Sequence, residues 1–129
     1  MFYKRNEYFR YTFDEPLEAE FRVVIAAPEE KESKRGHCQL VNISPGGLKF
    51  ATKFDIPLEH KPVRLRIEFT LYENSIEVEG SIVWKKPYSD GWMYGFDFVE
   101  DTEVEAQIVH ELKQSRRTMM GAEKASKRH

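Results

Sequence analysis

Most of the chain alternates between apolar and polar residues in steps of two. In residues 63–71, apolar side chains take every second position. The same rule holds in three further segments: residues 17–25, 76–84 and 92–98. Such alternation is typical of antiparallel strands with one buried face and one solvent-exposed face. Two shorter runs, 39–43 and 48–51, flank a Ser-Pro-Gly-Gly turn and predict a hairpin. Six strands with short links favour a closed all-β barrel, because closure removes exposed sheet edges.

The apolar spacing changes after Asp101 and predicts a C-terminal α-helix. Three apolar residues recur at steps of four and form one stripe: Val104, Ile108 and Leu112. The residues Thr102 to Glu105 match a capping box, in which the Thr102 hydroxyl caps the helix and the Glu105 side chain returns to the cap. We predict that the helix ends near residues 119–121 and that about the last eight residues form a frayed tail.

Length and composition place the chain among small globular domains. The 129 residues suit one domain, and 40% hydrophobic with 33% charged residues argue against disorder. No apolar run approaches the ~20 residues of a membrane span, and no apolar segment follows the charged N-terminus as in a signal peptide. A single cysteine, Cys38, makes neither a disulfide nor a metal cluster. We therefore predict a cytoplasmic protein.

The charge distribution divides the chain further. We predict an N-terminal arm over residues 1–16, a barrel with its helix over 17–112, and a helix end with a basic tail over 113–129. The tail carries six basic residues and one acidic residue, whereas the whole chain has a net charge of −2. A barrel that binds single-stranded nucleic acid through this tail is one alternative. The acidic barrel body and the buried spacing of the aromatic residues argue against it.

The arm concentrates cations and aromatic residues within positions 4–11. Guanidinium groups such as those of Arg5 and Arg10 pair bidentately with phosphate oxygens and with the O6 and N7 atoms of guanine. A tyrosine ring of this segment offers a stacking face. The alternative is a flexible, solvated N-terminus without a ligand.

The predicted hairpin turn is the second candidate for binding chemistry. Asn42 and Ser44 lie two residues apart and share one strand face, while Ile43 points into the core. Gly46 supplies the positive φ of a type II turn, and Gly47 has no side chain, so a flat ligand can approach the backbone. The alternative is a plain hairpin turn in which Ser44 bonds its own backbone.

Together, these two segments resemble the PilZ domain family. The resemblance covers approximately residues 4–112 and rests on an arginine-containing segment followed about thirty residues later by Asn-x-Ser-x-x-Gly at a turn. It implies a six-stranded antiparallel barrel of the split-barrel type with a C-terminal helix. It also implies a non-enzymatic receptor for the bacterial second messenger cyclic di-GMP, with no cofactor.

The resemblance assigns ligand-binding positions residue by residue: Arg5, Asn6, Arg10, Asn42, Ser44 and Gly47. Arg5 and Arg10 match the first and last arginines of the family motif, and the Asn-x-Ser-x-x-Gly turn matches without departure. Asn6 replaces the middle arginine, and its short neutral side chain cannot form a charge-assisted pair. Losing one such bond, worth about 1.5–3 kcal/mol, weakens binding roughly 10- to 150-fold.

Two functions therefore stay open for this fold. In the first, Arg5 and Arg10 close over a ligand seated on the turn, and the ordered arm signals to a downstream protein, for instance of the motility or exopolysaccharide machinery. In the second, the barrel has lost the ligand and acts as a protein-interaction module, as Asn6 suggests. The protein is expected to be a monomer or a homodimer and to bind no nucleic acid.

We predict a structural role for the remaining reactive or aromatic residues. His37 and Cys38 are adjacent in a strand and face opposite sides, which argues against a catalytic pair. The late aromatic residues lie at the spacing of a buried face, so we predict that they are core rather than a stacking platform: Trp84, Trp92, Tyr94, Phe96 and Phe98.

Overall fold

The computed structural model describes the chain in four stretches: residues 10–25, 31–32, 35–58 and 63–127. Within these, side chains are described for three: residues 10–24, 35–58 and 63–115. In chain order the elements are β1 (Tyr11–Ile25), β2 (Lys31–Glu32), β3 (Gly36–Ser44), β4 (Gly47–Thr52), β5 (Arg64–Thr70), β6 (Ser75–Tyr88), β7 (Gly91–Phe98) and α1 (Thr102–Lys127).

Six of the strands close into an antiparallel barrel. Their order is β1-β3-β4-β7-β6-β5, and β5 pairs back onto β1 to complete the ring. The closing ladder includes Phe21 opposite Ile67 and Val23 opposite Leu65. β2, which the sequence pattern did not reveal, adds two residues beside the end of β1. The predicted six-stranded barrel with a C-terminal helix is thus confirmed.

The first strand begins earlier than the alternation predicts. β1 starts at Tyr11, so residues 11–16, which the sequence analysis placed in the arm, are strand. Thr12 pairs with Asn42 and Leu17 with Leu40. Four residues of β1 therefore bulge opposite one residue of β3. The bulge interrupts the alternation, and for this reason the pattern hides the true start of the strand.

The barrel interior is filled by the inward-facing residues of all six strands. The largest fully buried rings are Tyr94, Phe50 and Phe96, and Phe50 stacks on Tyr94 at a centroid distance of 5.0 Å. The helix contributes Ile108 and Leu112 to the same core, which confirms its predicted apolar stripe. Among the described residues, no helix combines the length and apolar composition that crossing a bilayer requires.

The cap of α1 differs from the predicted capping box. Asp101 is the N-cap residue: its Oδ1 accepts hydrogen bonds from the backbone N–H of Glu103 at 3.0 Å and of Val104 at 3.2 Å. Thr102 is the first helical residue, so the predicted Thr102 cap is wrong by one position. Aspartate caps at least as well as threonine and adds a charge that favours the helix N-terminus. The helix also runs to Lys127, beyond the predicted end at residues 119–121.

A buried carboxylate ties α1 to the barrel. Glu111 is 1% exposed, and its Oε1 accepts the backbone N–H groups of Tyr72, Glu73 and Asn74 at 3.0, 2.9 and 3.2 Å. Its Oε2 accepts a further bond from the Asn74 amide at 3.1 Å. These residues form the β5–β6 turn. Burial raises the pKa of Glu111, but the hydrogen bonds outweigh it, and the pKa lies below its ordinary value.

We expect the substitution Glu111→Gln to destabilise the fold by about 1–3 kcal/mol, because the turn amides lose a charged acceptor. Since folding lowers the pKa of Glu111, its contribution is complete above the unfolded-state pKa and is lost as the pH falls through the folded-state pKa. Urea unfolding at pH 7 and at pH 4 measures both effects. The wild type should lose more stability on acidification than the variant. Glu103→Gln, at an exposed position of the first helical turn, is the control. Equal pH dependence of the stability of wild type and Glu111→Gln would contradict the role of Glu111 as a charged acceptor for the turn.

Candidate ligand-binding site

The register between β1 and β3 brings the arm to the hairpin turn. Tyr11 pairs with Ile43 and Thr12 with Asn42, so Arg10 falls beside Ser44 at the end of β3. From there, Arg10 Nη1 donates a hydrogen bond to Asn42 Oδ1 at 2.8 Å. A guanidinium has five N–H donors, so this bond orients the group without exhausting it. Arg10, at the end of the first candidate segment, and the hairpin turn therefore meet at one end of the barrel.

Two polar residues at the end of β3 are buried beside this contact. Asn42 is 6% and Ser44 1% exposed. The Ser44 hydroxyl donates to the carbonyl oxygen of Gly47 at 3.3 Å and accepts from the backbone N–H of Gly46 at 3.4 Å. Ser44 thus bonds its own hairpin, as the plain-turn alternative predicted. Asn42, in contrast, bonds across the strands to Arg10, which a plain turn does not require.

The turn itself differs from the predicted type II geometry. No glycine that the structure describes has a positive φ, and type II requires one after the proline, so that prediction is wrong. Gly47 serves the packing of β4 on β7: a Cβ there would lie 2.6 Å from the carbonyl oxygen of Phe96. Its missing side chain permits two backbones to approach, and it also leaves the cavity beside it open.

Trp84 lies on the outside of the barrel, which corrects its assignment to the core. Ile82 pairs with Phe96, and Trp84 pairs with Gly95, with a bulge between them. The extra residue turns Trp84 to the outer face, where it is 37% exposed. Its indole covers Gly95 so closely that a Cβ on the glycine would lie 2.1 Å from Nε1.

The other late aromatic residues behave as predicted. Tyr94 and Phe96 are buried, and Trp92 and Phe98 are partly buried against the core. The Tyr94 hydroxyl donates to the carbonyl oxygen of Phe54 and accepts from the N–H of Ile56, both at 2.8 Å. These bonds hold the segment after β4 against the barrel, so Tyr94 is structural rather than a ligand contact.

These features surround a small cavity of about 100 Å³. Its lining combines motif residues with neighbours from β4, β6 and β7: Arg10, Ser44, Gly47, Lys49, Trp84 and Asp97. The lysine ammonium groups of Lys49 and Lys86 lie 5.9 and 5.5 Å from the Trp84 ring centre. The surface around the cavity thus carries several cations and an aromatic face beside one carboxylate.

A larger groove of about 550 Å³ lies at the other end of the same strands, lined by residues such as Cys38, Phe54, Tyr88 and Trp92. It contains none of the residues that the motifs single out. Cys38 is buried, and burial, followed by the nearby Glu18 and Glu20, raises its pKa to about 12. A thiol in that state is not a nucleophile at neutral pH. We therefore assign the candidate site to the smaller cavity.

Of the predicted site residues, the structure brings four together: Arg10, Asn42, Ser44 and Gly47. Arg5 and Asn6 lie outside the described residues. Sequence reasoning missed Trp84 and Lys49 as neighbours of the site. One signal was present: Gly95 interrupts an aromatic strand, and an interior strand glycine often marks a close approach by another group. Among the residues that the structure describes, no acidic, histidine or cysteine side chains group as metal ligands.

Comparison with known proteins gives a family and a related structure. A family model described as the PilZ domain matches residues 4–114. Among solved structures, the chain is similar to the PilZ domain with c-di-GMP of YcgR from Escherichia coli. The TM-score is 0.61 at 18% identity, covering 96% of this chain and 99% of that chain. At this identity the likeness concerns the fold. No curated protein matches the chain.

The two glycines of the site differ in what a methyl group would meet. We expect Gly47→Ala to destabilise the barrel by about 1–3 kcal/mol, because the Cβ would press on the β7 backbone. In Gly95→Ala, the three atoms nearest the added Cβ all belong to the Trp84 side chain. This variant should therefore shift the tryptophan emission and lose less stability than Gly47→Ala. Urea unfolding and fluorescence spectra of both variants decide this. Unfolding of Gly47→Ala at the wild-type urea midpoint would refute the close approach.

Proposed function

The chain belongs to the PilZ domain family, and from this premise we propose that it is a receptor for cyclic di-GMP. The observation that carries the proposal is the hydrogen bond between Arg10 and Asn42. It joins the arm motif to the turn motif at one cavity, although the two residues are 32 positions apart in the chain. The similar domain of Escherichia coli YcgR, whose structure is that of a complex with c-di-GMP, supports the choice of ligand.

The chemistry of the site fits a guanine dinucleotide. Arg10 offers its remaining N–H groups as a planar fork for a phosphate or for the O6 and N7 edge of guanine. Asn42 fixes the direction of the Arg10 guanidinium through their hydrogen bond. Because Asn42 is buried, its side chain stays in place. Ser44 and Gly47 shape the turn on which the base rests. In this assignment Ser44 acts through the turn rather than through its own hydroxyl, which already bonds Gly47.

We further propose that the ligand orders the residues before Arg10. Arg10 is already joined to Asn42, so the ordering step concerns Arg5 and its neighbours. Five residues span at most about 17 Å, which lets Arg5 reach a ligand held at the Arg10 cavity. The ordered arm then presents a new surface to a downstream cytoplasmic protein, with the receptor acting as a monomer or a homodimer and without catalysis.

A second candidate is a PilZ-fold module that binds proteins but not cyclic di-GMP. Asn6 favours it, because it stands where the family motif has an arginine and cannot supply a charge-assisted pair. The motif residues that the structure describes match the family pattern and lie together at the site: Arg10, Asn42, Ser44 and Gly47. The second candidate therefore rests on one residue of the arm, Asn6, and substituting that residue separates the two functions by experiment.

Calorimetric titration with cyclic di-GMP at physiological ionic strength tests the receptor assignment. The wild type should give saturable heat, and Arg10→Ala should bind roughly 10- to 150-fold more weakly, since one charge-assisted contact is lost. Arg35→Ala is the matched control, because Arg35 is an exposed arginine that pairs with Glu20. Equal affinity of the Arg10→Ala and wild-type proteins would contradict the assignment.

Restoring the motif arginine at position 6 distinguishes the cyclic di-GMP receptor from the second candidate, an adaptor that binds proteins only. In a receptor, Asn6→Arg should tighten binding at least tenfold, because the variant regains a bidentate cation. Asn6→Lys should gain less, since lysine supplies charge without the fork. If neither the wild type nor Asn6→Arg gives heat up to high micromolar ligand, the pocket has been lost and the adaptor function stands.

A further inference from the structure

We propose that the outward face of α1 beside the β3–β4 turn is the interface of a homodimer. In this dimer a second copy of the chain lays its own α1 antiparallel against the first. The inference goes beyond the proposed function and requires no ligand. It rests on a groove of about 500 Å³ between Pro45 and the first half of α1. The helix side of the groove includes Glu105, Ala106, Val109 and Lys113.

This face of α1 is separate from the one that packs on the barrel. Ile108 and Leu112 belong to the core. Val109 lies about 100° around the helix from Ile108, because an α-helix has about 3.6 residues per turn. Ala106 and Lys113 are exposed, and Val109 is half-buried. The groove is therefore lined by an apolar side chain that the fold covers only in part.

The charged residues of the groove are symmetric about Val109. Glu105 precedes it by four residues and Lys113 follows it by four, which is about 6 Å in each direction along the helix axis. If a two-fold axis at Val109 relates two antiparallel helices, each Glu105 lies opposite the Lys113 of the other copy. An isologous interface requires such self-complementarity, whereas a partner of a different sequence gives no reason for it. The charges thus favour a second copy as the occupant.

The helix dipole does not account for Lys113. Glu103 and Glu105 lie in the first turn of α1, where acidic residues compensate the dipole. This effect falls off beyond the first and last turns, and Lys113 lies in the middle of a helix that runs from Thr102 to Lys127. Antiparallel packing gives the lysine an acidic partner and sets the two helix dipoles in opposite directions.

The neighbours of Val109 suit a close helix pair. The separation of packed helices depends on the side chains at the contact, and Ala106 lies three residues before Val109. Pro45, across the groove, belongs to the turn between Ser44 and Gly47, so the interface includes the turn of the candidate ligand site. A contact of one helix per copy is small, and small interfaces are typical of weak, transient complexes. We therefore expect a dissociation constant in the micromolar range.

Sedimentation equilibrium of the full chain without cyclic di-GMP, across micromolar protein concentrations, tests this interface. The wild type should dimerise as the concentration rises. Lys113→Glu should weaken the dimer about tenfold, because two pairs of opposed carboxylates replace two ion pairs. The double variant Glu105→Lys/Lys113→Glu restores both pairs in reversed order and should recover the dimer. Glu103→Lys, the same charge reversal at an exposed position outside the groove, is the control and should dimerise as the wild type does.

A cysteine at the two-fold axis tests the geometry directly. Val109→Cys should form a disulfide-linked dimer when diamide oxidises it, because the two thiols meet at the axis. Glu103→Cys, which lies on another side of the helix, should stay unlinked. The native Cys38 is buried, so the wild type should also stay unlinked. Circular dichroism and urea unfolding verify that each variant is folded.

The outcomes separate this interface from the proposed function. A wild type that stays monomeric across the concentration range overturns the interface. A dimer that Lys113→Glu leaves unchanged and that Val109→Cys does not cross-link overturns it as well, since the copies then meet elsewhere. Charge rescue by the double variant together with the Val109→Cys cross-link establishes it. Because no ligand is present, each of these results leaves the receptor assignment to the calorimetric titration.

Discussion

The candidate site depends on the register in which the start of β1 pairs with the end of β3. Because side chains alternate in steps of two, a slip of one residue would turn Thr12 and Asn42 to other faces and carry Arg10 away from the turn. The pairs Tyr11–Ile43 and Thr12–Asn42 fix this register. Ile43 is fully buried, so the hydrophobic core itself holds the register in place.

Irregularities in three strands concentrate around the same cavity. The bulge of β1 follows Thr12, that of β3 precedes Asn42, and that of β6 precedes Trp84. Each bulge changes which side chain faces outward without disturbing the core on either side. The barrel supplies a rigid frame, and the bulges aim an amide and an indole at one surface. At the β5–β6 turn, the buried Glu111 holds α1 against the barrel through backbone N–H groups.

Periodicity predicts the regular parts of this structure and fails at the irregular ones. The six strands, the helix stripe and the buried rings of Tyr94 and Phe96 follow from spacing alone. The start of β1 and the outward direction of Trp84 do not. Each lies next to a bulge, whose unpaired residues interrupt the alternation and leave no mark in composition. The cap at Asp101 was missed because Thr102 satisfies the same pattern one position later.

The candidate site was predictable to the extent that it follows short motifs. Arg10, Asn42, Ser44 and Gly47 were found because a resemblance linked residues that are distant in the chain. The contact between Arg10 and Asn42 needed coordinates, since it depends on the strand register. The neighbours Lys49 and Asp97 belong to no motif, and they join the site only through the pairing of β4 with β7. The buried role of Glu111 is likewise a property of tertiary packing.

The central claim, that cyclic di-GMP binds where the arm meets the β3–β4 turn, is tested most directly by nuclear magnetic resonance. Titration of the ¹⁵N-labelled full chain with cyclic di-GMP shows which N–H groups sense the ligand. We predict the largest shifts at the backbone N–H groups of residues 42–44, Gly46 and Gly47 and at the side-chain N–H of Trp84. Shifts concentrated instead in the groove of Phe54 and Tyr88, or no shifts at saturating ligand, would contradict it.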